Sequence, residues 1–416
     1  MALYDVAIIG GGVVGCAILQ KLTSKGYQCV LLEKSANLVS GASCGNSGIW
    51  HSGYDTDANT LEGKCIARAV EPSSKFYKVT AVPYNKCGAI MVAWNQEQMD
   101  RLPIYLEKAK AAQQNDVRVL SRNEIAKLEP GLTGNFLGGL LIPGEATMDP
   151  WLTAVSLAHA ARRQGAQVHC NSEVRAGHQH QDGMWTLRTP SGTHKSRTVI
   201  NAAGLYGDTV ENIMRPSPFT IKPRKGDFVV YSNEGDPVVK HIILPVPTER
   251  TKGILIYPSV HGNVIVGPTA EDVPEREVSQ VTTDQDTAEK LTKWSREVFP
   301  ALKKIPVIGT YVGLRPATQY KDYQIKEHKK QNWITVGGIR STGATAATGI
   351  AEYVLDLLEQ NLHLGPSTPP QPVNTFGFSW QKTTKDCMTA NGVEYQVTHP
   401  ITKFGLLNEL IPTAKL

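Results

Sequence analysis

No C-x-x-C pair occurs anywhere in the 416 residues, and the seven cysteines (Cys16, Cys29, Cys44, Cys65, Cys87, Cys170, Cys387) are odd in number. This argues against a disulfide framework, a zinc ribbon and a thiolate-held iron–sulfur cluster; a reducing compartment fits best. Charge of one sign is scarce too. The 43 basic and 38 acidic residues leave +5, too little for electrostatics to nominate nucleic acid or an anionic membrane as partner. A long apolar run is also missing. The candidate near the N-terminus, Val6 to Leu19, is interrupted by Gly10, Gly11, Gly12 and Gly15 and has no Lys or Arg before it, so neither a signal peptide nor a transmembrane segment is expected. What remains is globular. An apolar share of 41% excludes disorder, 37 glycines without a triplet period exclude a collagen-like chain, and the length predicts two or three domains around a sizeable core. The expected partner is a small molecule.

The chain opens as a βαβ unit. Asp5 to Ile9 reads as a buried strand, Gly10 to Gly15 as a tight turn, Val13 to Ser24 as a helix closing at Gly26, and Cys29 to Glu33 as a second strand. Connections this short force a parallel sheet. An Ala-rich amphipathic stretch from Leu152 leads into a strand near Val168, Thr198 to Ala203 reads as another strand, and Trp333 to Val336 feeds a Gly-rich turn and a helix from about Ala344. Residues 85–94 and 228–266 read instead as antiparallel strands. The predicted fold is therefore α/β, a Rossmann-type nucleotide domain (1–84, 146–216 and 308–364) interleaved with a β-rich α+β substrate domain (85–145 and 217–307). The run Gly365 to Pro372, with four prolines, predicts a stiff linker, so that 365–416 forms linker and separate tail.

Chemistry enters at Gly10-x-Gly12-x-x-Gly15, between a strand and a helix, with Glu33 ending the next strand. The first glycine makes the turn, the second lets backbone approach a diphosphate, the third lets helix pack on strand, and the acid accepts from ribose hydroxyls. Dinucleotide binding follows, and Glu33 disfavours a 2′-phosphate. Residues 1–362 resemble the D-amino-acid-oxidase-like superfamily of FAD-dependent oxidoreductases, within it the L-2-hydroxyglutarate dehydrogenases and flavin-linked glycerol-3-phosphate dehydrogenases. The matching pieces include Ser40 to Gly48 followed by His51-Ser52-Gly53, Met148-Asp149-Pro150, Asn201 to Gly204, Arg224 to Asp227, Gly267 to Ala270, Gly313-Leu314-Arg315-Pro316, and Gly337-Gly338 through Gly343.

The resemblance implies FAD as cofactor, with Lys34 joining Glu33 at the nucleotide end, Ser43, Asn46 and Ser47 along the diphosphate and ribityl chain, and Ala203 and Gly204 beside the ribose. Gly338, Ser341, Thr342 and Gly343 precede a helix whose N-terminus can stabilise charge on reduced flavin. Arg315 offers a bidentate fork for a substrate anion, and His51 is placed to take a hydroxyl proton. Lys225 and Tyr257 are secondary substrate candidates, beside Arg224 and His261. His178 and His180 lack a third ligand, so no metal is expected. The expected activity is oxidation of a CH–OH group in a small anionic substrate, a 2-hydroxy acid of the L-2-hydroxyglutarate kind, with oxygen or another acceptor taking the electrons. Glycerol 3-phosphate and amines are the alternative substrates, and a flavin-binding interaction module is the non-enzyme alternative. A tail with Cys387 alone excludes the cysteine-rich module of some glycerol-3-phosphate relatives. The ending Ala414-Lys415-Leu416 matches the form of a peroxisomal address, implying an import receptor as partner; otherwise the protein is cytoplasmic.

Overall fold

A computed structural model of the chain describes residues 2–233, 235, 237–247, 253–370 and 375–407. Among them, eight strands form the nucleotide sheet. Its parallel centre runs Gln167–His169, Cys29–Leu32, Leu3–Ile9, Gly192–Asn201 and Trp333–Gly337, in register Leu32↔His169, Ile9↔Leu32, Ile9↔Asn201 and Asn201↔Thr335. Strands such as Val6–Ile9 and Cys29–Leu32 are apolar throughout because helices or further structure cover both faces. The helices Val13–Ser24, Pro150–Arg163 and Gly343–Asp356 pack side by side on one of those faces.

A second, nine-stranded sheet takes strands from both insertions. Its order is Glu271–Asp272, Lys222–Tyr231, Val264–Gly267, Leu255–Pro258, Ile242–Pro245, Ala89–Ala93, Gly138–Ile142 and Arg118–Ser121, with Val307–Ala317 also paired to Lys222–Tyr231. Two expectations are corrected here. Ile242–Pro245 runs parallel to Ala89–Ala93, not antiparallel, and this pair is the seam joining the two insertions in one sheet. The boundary expected at 308 falls inside Val307–Ala317, which pairs with Lys222–Tyr231 from Lys222↔Ala317 to Tyr231↔Val307 and so belongs to the substrate sheet.

The largest correction concerns the tail. The Pro-rich segment is strapped to the nucleotide domain: Tyr27 donates to the Leu364 carbonyl at 2.7 Å, Ser367 Oγ to Asp5 at 2.6 Å, and Thr368 Oγ1 to the Gly26 carbonyl at 2.7 Å. Residues 375–407 then pack on the same core rather than standing apart. Trp380, Met388, Tyr395, Val397 and Leu406 are buried, Trp380 Nε1 donates to Ser156 Oγ at 2.8 Å, and Tyr395 OH meets His159 Nδ1 at 3.0 Å. This explains why Pro150–Ala161 is buried on every side, a pattern that belongs to a covered helix rather than the amphipathic one expected. Ala414-Lys415-Leu416 lies outside the described residues. No described helix is long and apolar enough to cross a membrane.

Candidate active site

Between the two sheets lies a cavity of about 500 Å³. One end is built by the opening turn. Gly10 has φ +110°, and a side chain at Gly15 would collide with the Gly10 carbonyl, so only glycines let this helix sit so close to its strand. Glu33, buried at the strand end, accepts from Gly11 N–H at 2.7 Å through one oxygen and from Ser35 N–H at 2.8 Å through the other. The carboxylate is thereby fixed, with lone pairs left for a ligand hydroxyl. Lys34 also lines the cavity but is ion-paired with Glu277 and lies 4.0 Å over the Tyr206 ring. Ala203 and Gly204 line the wall nearby.

The loop that supplies Ser43, Asn46 and Ser47 is held from several sides. Ser43 Oγ accepts from Val13 N–H at 3.0 Å, the first turn of the fingerprint helix, which leaves its O–H free to donate into the cavity. Gly45 and Gly313 meet backbone to backbone, and a side chain on either would strike the other's chain. Tyr257 OH donates to the Ser47 carbonyl at 2.9 Å. Asn46 Oδ1 accepts from Gly48 N–H at 2.7 Å within the loop itself.

At the other end His51 and Arg315 both face the cavity. His51 Nδ1 is 3.0 Å from Glu145 Oε2, and Glu145 is buried, its second oxygen accepting from Ser52 N–H at 2.6 Å and Ser52 Oγ at 2.9 Å. With Nδ1–H donating to the carboxylate, Nε2 is the free acceptor, and no described residue takes it. Arg315 donates to the carbonyls of Lys225 at 3.4 Å and Thr269 at 3.2 Å, and among the described residues no carboxylate pairs with it. Burial pushes its guanidinium down to about 10, with Arg224 and Arg340 adding to the effect and Asp227 opposing it; it stays charged at neutral pH. Arg340 lines the same end and likewise has no acidic partner among the described residues, its Nη1 donating to the Lys321 carbonyl at 2.9 Å. Arg224 is tied to Asp272 at 2.6 Å.

Six nominated residues do not line the cavity. Gly15 packs helix on strand. Lys225 is neutralised by Glu271 at 3.1 Å and Asp227 at 3.5 Å, so it is no free anion anchor. Tyr257 is fully buried behind the loop, where its hydroxyl is already used. Thr342 turns away toward Glu62 and Tyr323, and Gly338 sits in the preceding turn, leaving Ser341 and Gly343 at the cavity. His261 is buried against Asp149 at 2.8 Å. No group of three His, Cys, Asp or Glu among the described residues could hold a metal. Sequence reasoning missed Glu145 and Arg340. Arg340 carried a signal in the sequence, a cation beside a helix N-terminus, which opposes the macrodipole; the structure adds that it is held at φ +56°, strained for a residue with a side chain.

The family described as FAD dependent oxidoreductase (DAO) matches residues 5–357. The glycerol 3-phosphate oxidase of Mycoplasma pneumoniae is 31% identical over 375 residues, covering 88% of this chain and 97% of that one. The L-2-hydroxyglutarate dehydrogenase of Escherichia coli K12 is 26% identical over 273 residues, 64% of each chain. Among solved structures, the dithionite-reduced L-α-glycerophosphate oxidase of Mycoplasma pneumoniae with FAD bound superposes with a TM-score of 0.82 at 29% identity, covering 90% of this chain and 97% of that one.

Proposed function

Because the chain belongs to the DAO family of FAD-dependent oxidoreductases, we propose that its substrate is glycerol 3-phosphate, oxidised at the secondary alcohol. The residues present fit FAD: Glu33 and the Gly10–Gly12 backbone suit its AMP half, and Ser43, Ser47, Ser341 and Gly343 line the space for the flavin half. Bound FAD supplies the acceptor for the hydride leaving the substrate's C–H bond. His51 Nε2 takes the hydroxyl proton. Glu145 holds the imidazole with Nε2 toward the cavity and stabilises the imidazolium that proton transfer creates.

The observation that carries the substrate class is Arg315, a half-buried guanidinium without an acidic partner among the described residues, sharing one cavity end with Arg340. A phosphomonoester concentrates its charge on three oxygens at one point, which suits two neighbouring guanidinium forks; L-2-hydroxyglutarate divides its charge between two ends. The longer and stronger similarity to a glycerol 3-phosphate oxidase supports the same choice over the 2-hydroxy acid expected first. Comparing kcat/KM for glycerol 3-phosphate, glycerol and L-2-hydroxyglutarate tests the reading. Glycerol 3-phosphate should exceed both by at least about tenfold; a preference for L-2-hydroxyglutarate would overturn it.

A further inference from the structure

The family match ends at residue 357, yet the chain beyond it reaches the cofactor loop. His399 is fully buried, just before the helix Pro400–Leu407. Its Nδ1 accepts from Ile401 N–H at 3.1 Å, so the proton resides on Nε2, which donates to the Asn46 carbonyl at 2.9 Å. Burial holds this imidazole down to about 4, and it is neutral in the working range. Asn46 itself lines the cavity, together with Ser43, Gly45 and Ser47 of the same loop.

The contact is not isolated. Thr398 Oγ1 donates to the Val39 carbonyl at 2.7 Å, at the start of the same loop, and Thr402 Oγ1 donates to Asp149 Oδ1 at 2.8 Å. Asp149 also caps the helix Pro150–Arg163 through Leu152 N–H at 2.7 Å and meets His261 Nε2 of the substrate domain at 2.8 Å. Gly405 lies against the His261 ring, where any side chain would clash. One buried hydrogen-bonded cluster thus joins tail, nucleotide domain and substrate domain beneath the loop.

We propose that the C-terminal segment is part of the FAD site, and that His399 is the positioning residue through which it fixes the loop Ser43–Ser47. Without the Nε2–H donor the part-buried Asn46 carbonyl loses its partner, and the loop relieves this by shifting its path along the cofactor. The claim concerns cofactor binding and does not depend on which substrate is oxidised.

The test uses the full-length holoprotein and measures the FAD dissociation constant by recovery of flavin fluorescence on dilution, together with the flavin's visible circular dichroism. His399→Ala should weaken FAD binding about ten- to a hundredfold and alter the dichroism. His399→Gln, whose amide N–H reaches the Nε2 position, should restore most of both. Trp380→Ala controls for loss of tail packing remote from the loop, and should lower Tm without a comparable loss of FAD. Should His399→Ala fail to fold, His399→Gln and His399→Asn decide, because Asn reproduces only the Nδ1 acceptor: Gln must bind FAD more tightly. Unchanged FAD affinity in His399→Ala, equal affinity in the Gln and Asn variants, or loss of FAD merely in proportion to lost Tm would overturn the proposal.

Discussion

On the proposed mechanism, Arg315 and His51 divide the work at the residue scale, one by charge and the other by proton transfer, and different measurements separate them. Arg315→Ala should cost on the order of 2–5 kcal/mol in kcat/KM for glycerol 3-phosphate, because it removes a charged hydrogen-bond partner from the cavity. Activity toward glycerol, which has no anion to anchor, should change far less. His51→Ala should slow flavin reduction about 10²–10⁴-fold with FAD still bound. Glu145→Ala should slow it less, and the double variant should be no slower than His51→Ala alone, since a residue acting through another adds nothing once that other is gone. Additive losses in the anaerobic reduction rate would place Glu145 outside this pair. Arg315 and His51 stood out in the sequence through the family resemblance, which puts an anion anchor at Gly313-Leu314-Arg315-Pro316 and His51 just past the flavin loop; residue type alone does not single out one of eleven histidines. Glu145 did not, because nothing in Pro143-Gly144-Glu145 shows that the turn folds back 94 residues onto His51.

At the scale of elements, the opening βαβ unit was legible to within a residue or two, since its glycines and strand ends are set by local backbone geometry. The loop expected along the cofactor, Ser43–Ser47, does lie on the cavity wall, but how it is held was not legible. Its supports come from Val13, Gly313, Tyr257 and His399, four segments distant in sequence. Tyr257 illustrates the consequence: strand patterning placed it in the right sheet, but only the packing shows that it faces the back of the loop rather than the cavity. The Gly45–Gly313 contact gives this scale its prediction. Gly313→Val must push the strand Val307–Ala317 off the loop, so the purified variant should retain little FAD while its far-ultraviolet dichroism stays near that of the parent. Full flavin content by absorbance would show that the close approach is dispensable.

For the whole molecule, the composition of the Pro-rich run suggested separation, and the structure shows attachment instead. Proline stiffens a segment without deciding whether it is free, and here hydrogen bonds to Asp5, Gly26 and Tyr27 pin it down. A cue was present in Pro150–Ala161, which carries no Asp, Glu, Lys or Arg and needed a cover for its outer face. Removing that cover at one point, Trp380→Ala should cost about 3–5 kcal/mol in denaturant unfolding, provided the transition is two-state.

The buried tail also makes stability depend on pH. His399 in the folded chain binds its proton only near pH 4, whereas an unfolded histidine does so near 6.5, so between these values the unfolded state holds more protons and stability falls as pH falls. The loss approaches about 1.4 kcal/mol per pH unit in the middle of that window. Asp149, facing His399 and His261, acts lower down. Burial raises its carboxyl, but the His261 hydrogen bond and charge, Leu152 N–H and Thr402 outweigh this and hold it below the usual range, so its contribution is lost only as pH drops beneath about 4. Desolvation shifts His159, His194 and His328 in the same direction as His399. His399→Gln should therefore lose less stability than the parent between pH 6.5 and 4.5 in matched unfolding titrations, and identical slopes would contradict the assignment.

The central claim is that this chain places an alcohol bearing a phosphate between His51 and Arg315 for oxidation by bound FAD. Its most direct test is anaerobic mixing of the yellow holoprotein with glycerol 3-phosphate or L-2-hydroxyglutarate, followed through the flavin absorbance. Rapid bleaching by glycerol 3-phosphate, lost in Arg315→Ala, is the predicted result. Bleaching by L-2-hydroxyglutarate but not by glycerol 3-phosphate would contradict the account.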